Sequence, residues 1–206
     1  MFGLRTTCLY GLEPYQLGFC GPFDNKASSQ LIKNYLQGKK CNTVQLKKIL
    51  KEFVAPYSYY SLIAQKNSIK NPFSKKIAKA YWIGNDLLKK AGGYKSHHTY
   101  HVLVIGSVTE RIKFNDALRD LCRVSWGCVK RNGHKLLIEY QPLRKKNGKY
   151  ILARAIEKEI EWNRKITPNI KKGDIVSVHW NQAIEVLKKS EAANLEKYTQ
   201  QALNNI

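Results

Sequence analysis

Two side chains set about fifty-seven residues apart have the types needed for metal or thiol chemistry, and each stands at the border of an apolar run. Cys122 lies in "DLCRVSWGCVKRNGHKLLIEY", which begins at Asp120, and His179 lies in "GDIVSVHWNQAIEVLKKSEA". A thiolate and an imidazole are both ligands for borderline metals such as iron. Cys122 precedes a predicted strand, a position expected to present a thiolate on a rigid scaffold while its neighbours are buried. His179 emerges where the run Ile175, Val176, Val178 ends. If both residues lie at strand ends of one small barrel, the two donors can meet.

A second constellation lies in the first half. "QLGFCGPFDN" sets Cys20 between Gly18 and Gly21-Pro22, and "HHTYH" supplies His97, His98 and His101. One reading is a cysteine hydrolase in which a His activates the Cys20 thiolate and Asn115 or Asp116 steadies the imidazole. Another is a metal site in which His97 or His98 joins His101 on one helical face, with Cys20 as a further ligand. In a strand, His97, Thr99 and His101 would share the face instead. The plain reading is a satisfied, partly buried histidine cluster with Cys20 as a small core residue, because free Cys is among the most buried types and no zinc spacing is present.

The elements that must position these groups follow from periodicity. From Asn25 to about Gly93 the pattern is helical in roughly four segments. "NKASSQLIKNYLQG" ends at a glycine. "NTVQLKKILKEFV" opens on a capping Asn-Thr and sets Val44, Leu46, Ile49, Leu50 and Phe53 on one face. "APYSYYSLIAQK" and "NPFSKKIAKAYWIGNDLLKKAGG" follow, the last closing at Gly92-Gly93. "HHTYHVLVIGSV" is compatible with a strand or a buried helix. "FNDALRDL" reads as a short helix, and strands follow at Val124–Lys130, Lys135–Tyr140, Tyr150–Arg154, Ile156–Trp162 and Ile175–His179. Asn132-Gly133 and Asn147-Gly148 serve as hairpin turns. A final helix is predicted from about Gln182 to Leu203. The expected organisation is α+β, with a mostly helical domain over residues 1–117 and a small β-barrel with a C-terminal helix over 118–206.

Composition bounds the partners. The chain has 206 residues, with 36 Lys+Arg against 15 Asp+Glu and a formal charge of +21. Residues 1–117 carry 18 basic and 6 acidic side chains and residues 118–206 carry 18 and 9, so the excess is spread along the chain. A basic RNA-binding barrel is therefore possible but not favoured, since most cations are Lys and no long basic block appears. Five cysteines at irregular spacing, without an export signal, argue against a disulfide framework and for a cytoplasmic protein. No run is long and apolar enough to span a membrane.

The residues "CRVSWGCV", followed by "GDIVSVHWNQAIEVLKKSEA", resemble the small hydrogenase maturation chaperones of the HypC/HupF type. The likeness covers about residues 120–195. It implies an OB-like barrel leading into a C-terminal helix and a non-enzymatic role in metallocofactor assembly. It further implies an iron centre held with Cys122 and His179, and a protein partner such as a hydrogenase large subunit or another maturation factor. Cys122 is internal here, whereas that family's cysteine becomes N-terminal, and Trp126 stands where the family has Pro. The "CGP" after Gln16 is similar to papain-like peptidases, which implies the hydrolase reading of Cys20. Over nearly the whole chain, "YGLEPYQLGFCGP", "PYSYYSLIA", "AYWIGN", "HHTYHVL", "CRVSWGCV" and "GDIVSVHW" resemble an uncharacterised domain family that brings no established activity.

Overall fold

The computed structural model describes residues 2–23, 26–106 and 113–206. The class is α+β: a helical N-terminal part is followed by an antiparallel sheet and a final helix. The backbone divides into two compact units. The first extends through His98, and the second takes Thr99–Gly106 and Phe114–Ile206.

The first unit is built from α1 (Phe2–Gln16), α2 (Lys26–Leu36), α3 (Thr43–Lys51), α4 (Val54–Lys66), α5 (Lys75–Trp82) and α6 (Leu87–Lys90). Asn42 caps α3 by accepting from the N–H groups of Val44 and Gln45, as its sequence predicts. Val44 itself departs from the expected apolar face and is 77 % exposed, while Leu46, Ile49, Leu50 and Phe53 are buried. The predicted single helix through "SKKIAKAYWIGNDLLKK" is two. The Gly84 N–H bonds the Lys79 carbonyl at 2.9 Å with φ +94°, the left-handed stop that glycine tolerates, and Asp86 and Leu87 begin again.

Helix α1 is not anticipated by periodicity, since it contains Gly3, Gly11 and Pro14. Packing explains the first of these. A Cβ on Gly3 would stand 2.0 Å from the Phe73 carbonyl oxygen, so only glycine lets α1 approach the chain ahead of α5. The core is aromatic. Tyr10 stacks on Trp82 at 4.9 Å between ring centres, Tyr60 and Tyr81 meet edge to face, and Tyr60 Oη accepts from the Trp82 indole N–H. Burying these amphipathic rings requires such partners, because an unpaired hydroxyl in the core costs about 1–3 kcal/mol.

In the second unit, β1 (Ser125–Asn132), β2 (Leu136–Tyr140), β5 (Ile156–Ile160), β6 (Ile175–His179) and β7 (Gln182–Val186) form a sheet in the order β5-β2-β1-β6-β7, every ladder antiparallel. Strands β3 (Leu143–Lys146) and β4 (Lys149–Leu152) make a separate hairpin through Asn147-Gly148, both at positive φ. Alternation drives the sheet: Leu136, Ile138 and Tyr140 of β2 point into a core shared with Val129, Ile160 and Val176. Between β5 and β7 there is no continuous ladder. Their ends are joined by one parallel bridge, Glu161 with Gln182, through Glu161 N–H to the Asn181 carbonyl and Ala183 N–H to the Glu161 carbonyl, each 2.9 Å.

The predicted helix from Gln182 is corrected at its start. Gln182–Val186 is strand β7, and α9 is Lys189–Leu203, burying Ala192, Leu195, Tyr198 and Leu203. The "HTYHVLVI" stretch is helical, α7 (His98–Tyr100) running into a wider π-type turn over His101–Ile105 that ends at Gly106, while His97 before it is extended. Asn25, where the helical pattern is predicted to begin, and the end of "HHTYHVLVIGSV" lie outside the described residues. No helix among the described residues is long and apolar enough to cross a membrane.

Candidate functional site

Cys122 is the last residue of α8 (Asp116–Cys122), the short helix predicted from "FNDALRDL". Asn115 caps it by accepting from the Leu118 N–H at 2.9 Å, and Arg123 leaves it in an extended conformation toward β1. The helix is anchored on one side by Arg119, which donates to the carbonyls of Val102 and Leu103 at 2.8 Å. On the other side, fully buried Arg123 pairs with Asp120 at 2.8 Å and donates to the Gln141 carbonyl at 2.6 Å. Asp120 accepts in addition from the Leu143 N–H and the Tyr140 hydroxyl. A buried guanidinium is tolerated only because these bonds satisfy its charge and its donors.

The cysteine is not displayed as the sequence suggests. Its residue is 9 % exposed, and burial pushes the thiol up to about 12, partly offset by a hydrogen bond from the Trp180 side chain. The physical reason for the correction is its place at the end of a helix, against the buried Trp180, rather than at an open strand mouth. At neutral pH the group is a thiol, and a metal would have to displace its proton.

His179 closes β6 and is 2 % exposed. Cys122 Sγ and a ring nitrogen of His179 lie within 4.8 Å of one another. Two ligands of a tetrahedral ion with ordinary metal–sulfur and metal–nitrogen bonds stand ~3.6 Å apart, so a small side-chain adjustment suffices. The juxtaposition is made by the two-residue turn Trp180-Asn181, at φ +50° and +62°, which joins β6 to β7 through the paired ends His179 and Gln182. Both central residues at positive φ fit a hairpin turn of type I′, a conformation that costs a bulky residue on the order of 1–2 kcal/mol. Trp180 is held there by burial of its indole, 5 % exposed, and by its N–H bonding the Leu121 carbonyl at 2.8 Å. That bond fastens the turn to the residue before Cys122. Sequence reasoning started a helix at about Gln182, directly after this turn, where strand β7 follows instead. The signal that could have found it is the Asn between two short runs rich in Val and Ile, "IVSVH" and "QAIEV".

Each first-half candidate is held by its own neighbours. His97 is fully buried and held down to about 3 by that burial, against a bond with the Ile83 backbone. His98 Nδ1 is 3.0 Å from the Tyr81 hydroxyl, and its ring centre is 4.4 Å from that of Trp82. His101, which begins the π-type turn, is likewise lowered to about 4 by burial. Cys20 is half-buried between Gly18 and Gly21, both at positive φ, and a Cβ on Gly21 would press within 2.7 Å of the Tyr15 ring. Asp116 accepts from the Tyr150 hydroxyl at 2.6 Å, and Asn115 is the α8 cap. None of the five cysteines is in a disulfide.

Gly127, in the "SWGCV" motif, is required by close packing: a Cβ there would meet the Glu139 carbonyl oxygen at 2.8 Å. Several cations of the sheet are paired across strands, Lys130 with Glu139, Arg131 with Glu159 and Lys135 with Glu161.

No curated protein and no solved structure matches the chain. A family model matches residues 2–95 and 91–206, and the chain thus belongs to a family of unknown function, DUF6390.

Proposed function

We propose that the second unit is a metal-handling module of the cofactor-maturation type, non-enzymatic, that holds iron through Cys122 and His179 and delivers it to a protein partner such as a hydrogenase large subunit or another maturation factor. The single observation that carries this reading is the Cys122–His179 pair within 4.8 Å, brought together from α8 and β6. A thiolate and an imidazole fit a borderline ion, and two fixed donors leave further coordination positions for ligands on a partner or cargo. The strand order, with its one parallel bridge between Glu161 and Gln182, supports reading the sheet as a partly open barrel of the OB type, the architecture implied by the resemblance to HypC/HupF-type chaperones. The helical first unit would then choose the partner.

The test is metal analysis of the full chain after anaerobic expression. Bound iron is expected in the parent and lost in Cys122→Ala and His179→Gln, while His97→Gln keeps it. Cobalt(II) loading should give a thiolate charge-transfer band that is absent in Cys122→Ser. Equal metal in all variants, with no thiolate band, ends this reading.

A further inference from the structure

A cleft of about 640 Å³ opens in the second unit, between α8, the β3–β4 hairpin and β5. Its floor is apolar, from Ala117, Leu121 and Leu143, and its walls carry Asp116, Asp120, Arg144, Lys145 and Lys158. The two signs of charge are not equivalent. Asp116 is engaged by the Tyr150 hydroxyl, and Asp120 by Arg123, Tyr140 and the Leu143 N–H. Each carboxylate thus already accepts from a donor of the fold.

The three cations have no carboxylate at ion-pair distance among the described residues. Lys158 Nζ sits 5.2 Å from the centre of the Tyr140 ring, and Lys145 Nζ sits 5.6 Å from that of Tyr150. Ring faces hold the ammonium groups without neutralising them. Lys158 is half-buried, and loss of water lowers its affinity for its proton, so an anion entering the cleft would recover favourable charge there. Arg144 adds a planar fork suited to paired oxygens.

We propose that this cleft binds a small phosphoryl-bearing molecule, its phosphoryl oxygens on Arg144, Lys145 and Lys158 and its apolar portion on Leu121 and Leu143. Three cations favour a group of charge −2 or more over a single carboxylate. A concave, partly apolar floor favours a small ligand over a polymer, which would track the exposed hairpin tip at Lys146 and Lys149.

Calorimetric titration of the full chain with inorganic pyrophosphate tests this. Saturable binding to one site is expected, weakened roughly tenfold or more by Lys158→Gln and by Arg144→Gln, which each remove charge-assisted bonds. Lys158→Arg should retain most of the affinity, and Lys197→Gln on α9 should leave it unchanged. Because Arg144 and Lys145 are exposed, Arg144→Gln and Lys145→Gln keep the test valid if Lys158 variants fold poorly. Absence of saturation, or equal affinity in the cleft variants, overturns the proposal. So does binding of an RNA oligonucleotide that depends on Lys146 and Lys149 but not on Lys158.

Discussion

His97 and the pair Cys122–His179 use chemistry-bearing residue types to opposite ends. His97 stands in the "HHTYH" run that suggests a site on paper, yet it is fully enclosed in the first unit and burial keeps it neutral. Cys122 and His179 are far apart in sequence and are brought side by side in the second unit by a helix end and a hairpin turn. Proximity along the chain is thus a poor guide to shared function. What distinguishes the pair is that backbone hydrogen bonds, rather than side-chain packing alone, fix its spacing.

The sharpest way to break the second unit while sparing the first is Asp120→Ala. It strands the buried Arg123 guanidinium and frees the Leu143 N–H, and urea unfolding followed by sheet-specific amide exchange should show a loss of about 3–5 kcal/mol. Next in size, Gly127→Ala drives a methyl into the Glu139 carbonyl across β1 and β2. It should cost about 1–3 kcal/mol and loosen the strand that follows Cys122.

The histidine cluster is tested by pH. The folded chain keeps His97 neutral down to about 3, whereas the unfolded chain protonates it near its ordinary 6.5. Above 6.5 both states are neutral and there is no effect. As pH falls below 6.5 the unfolded state takes up the proton, and stability drops by up to about 1.4 kcal/mol per pH unit until His97 itself protonates. His101 adds a similar slope in the second unit down to about 4. Thermal unfolding of His97→Gln between pH 7 and 4 should show a shallower decline than the parent; an unchanged slope would mean that His97 is not the enclosed group described.

A smaller effect concerns thiol access. Iodoacetamide at pH 8 should alkylate half-buried Cys128 and Cys41 well before Cys122, at least about tenfold faster by peptide mapping, because the Cys122 thiol is buried and raised to about 12. Rapid labelling of Cys122 would restore the exposed thiolate that its sequence position suggests. Smallest of all, Val44→Ser should change stability by less than about 0.5 kcal/mol, since that side chain faces water.

The parts legible beforehand are those with strong local punctuation. Asn42 announces α3, "FNDALRDL" announces α8, Asn147-Gly148 announces a hairpin, and "DIVSVH" announces β6. What escaped depends on distant packing. Helix α1 keeps Gly3 and Gly11 because other segments press against it, and a Cβ on Gly11 would come within 3.1 Å of the Phe53 ring, so its composition reads as non-helical. Strand β7 was hidden because Ala183 and Ile184 are both buried, which blurs alternation into a helical pattern, and because its turn uses Trp-Asn instead of Asn-Gly. For the candidate site, both residues were legible as types. Their enclosure was not, since burial is a property of the layers around them.

The bond from the Trp180 N–H to the Leu121 carbonyl ties main chain to main chain. Such a clasp acts like a calliper: the gap between sulfur and imidazole is gauged by peptide units that no side-chain substitution removes, proline at Trp180 excepted. Relatives could therefore vary the residues around the pair widely and still inherit the same spacing.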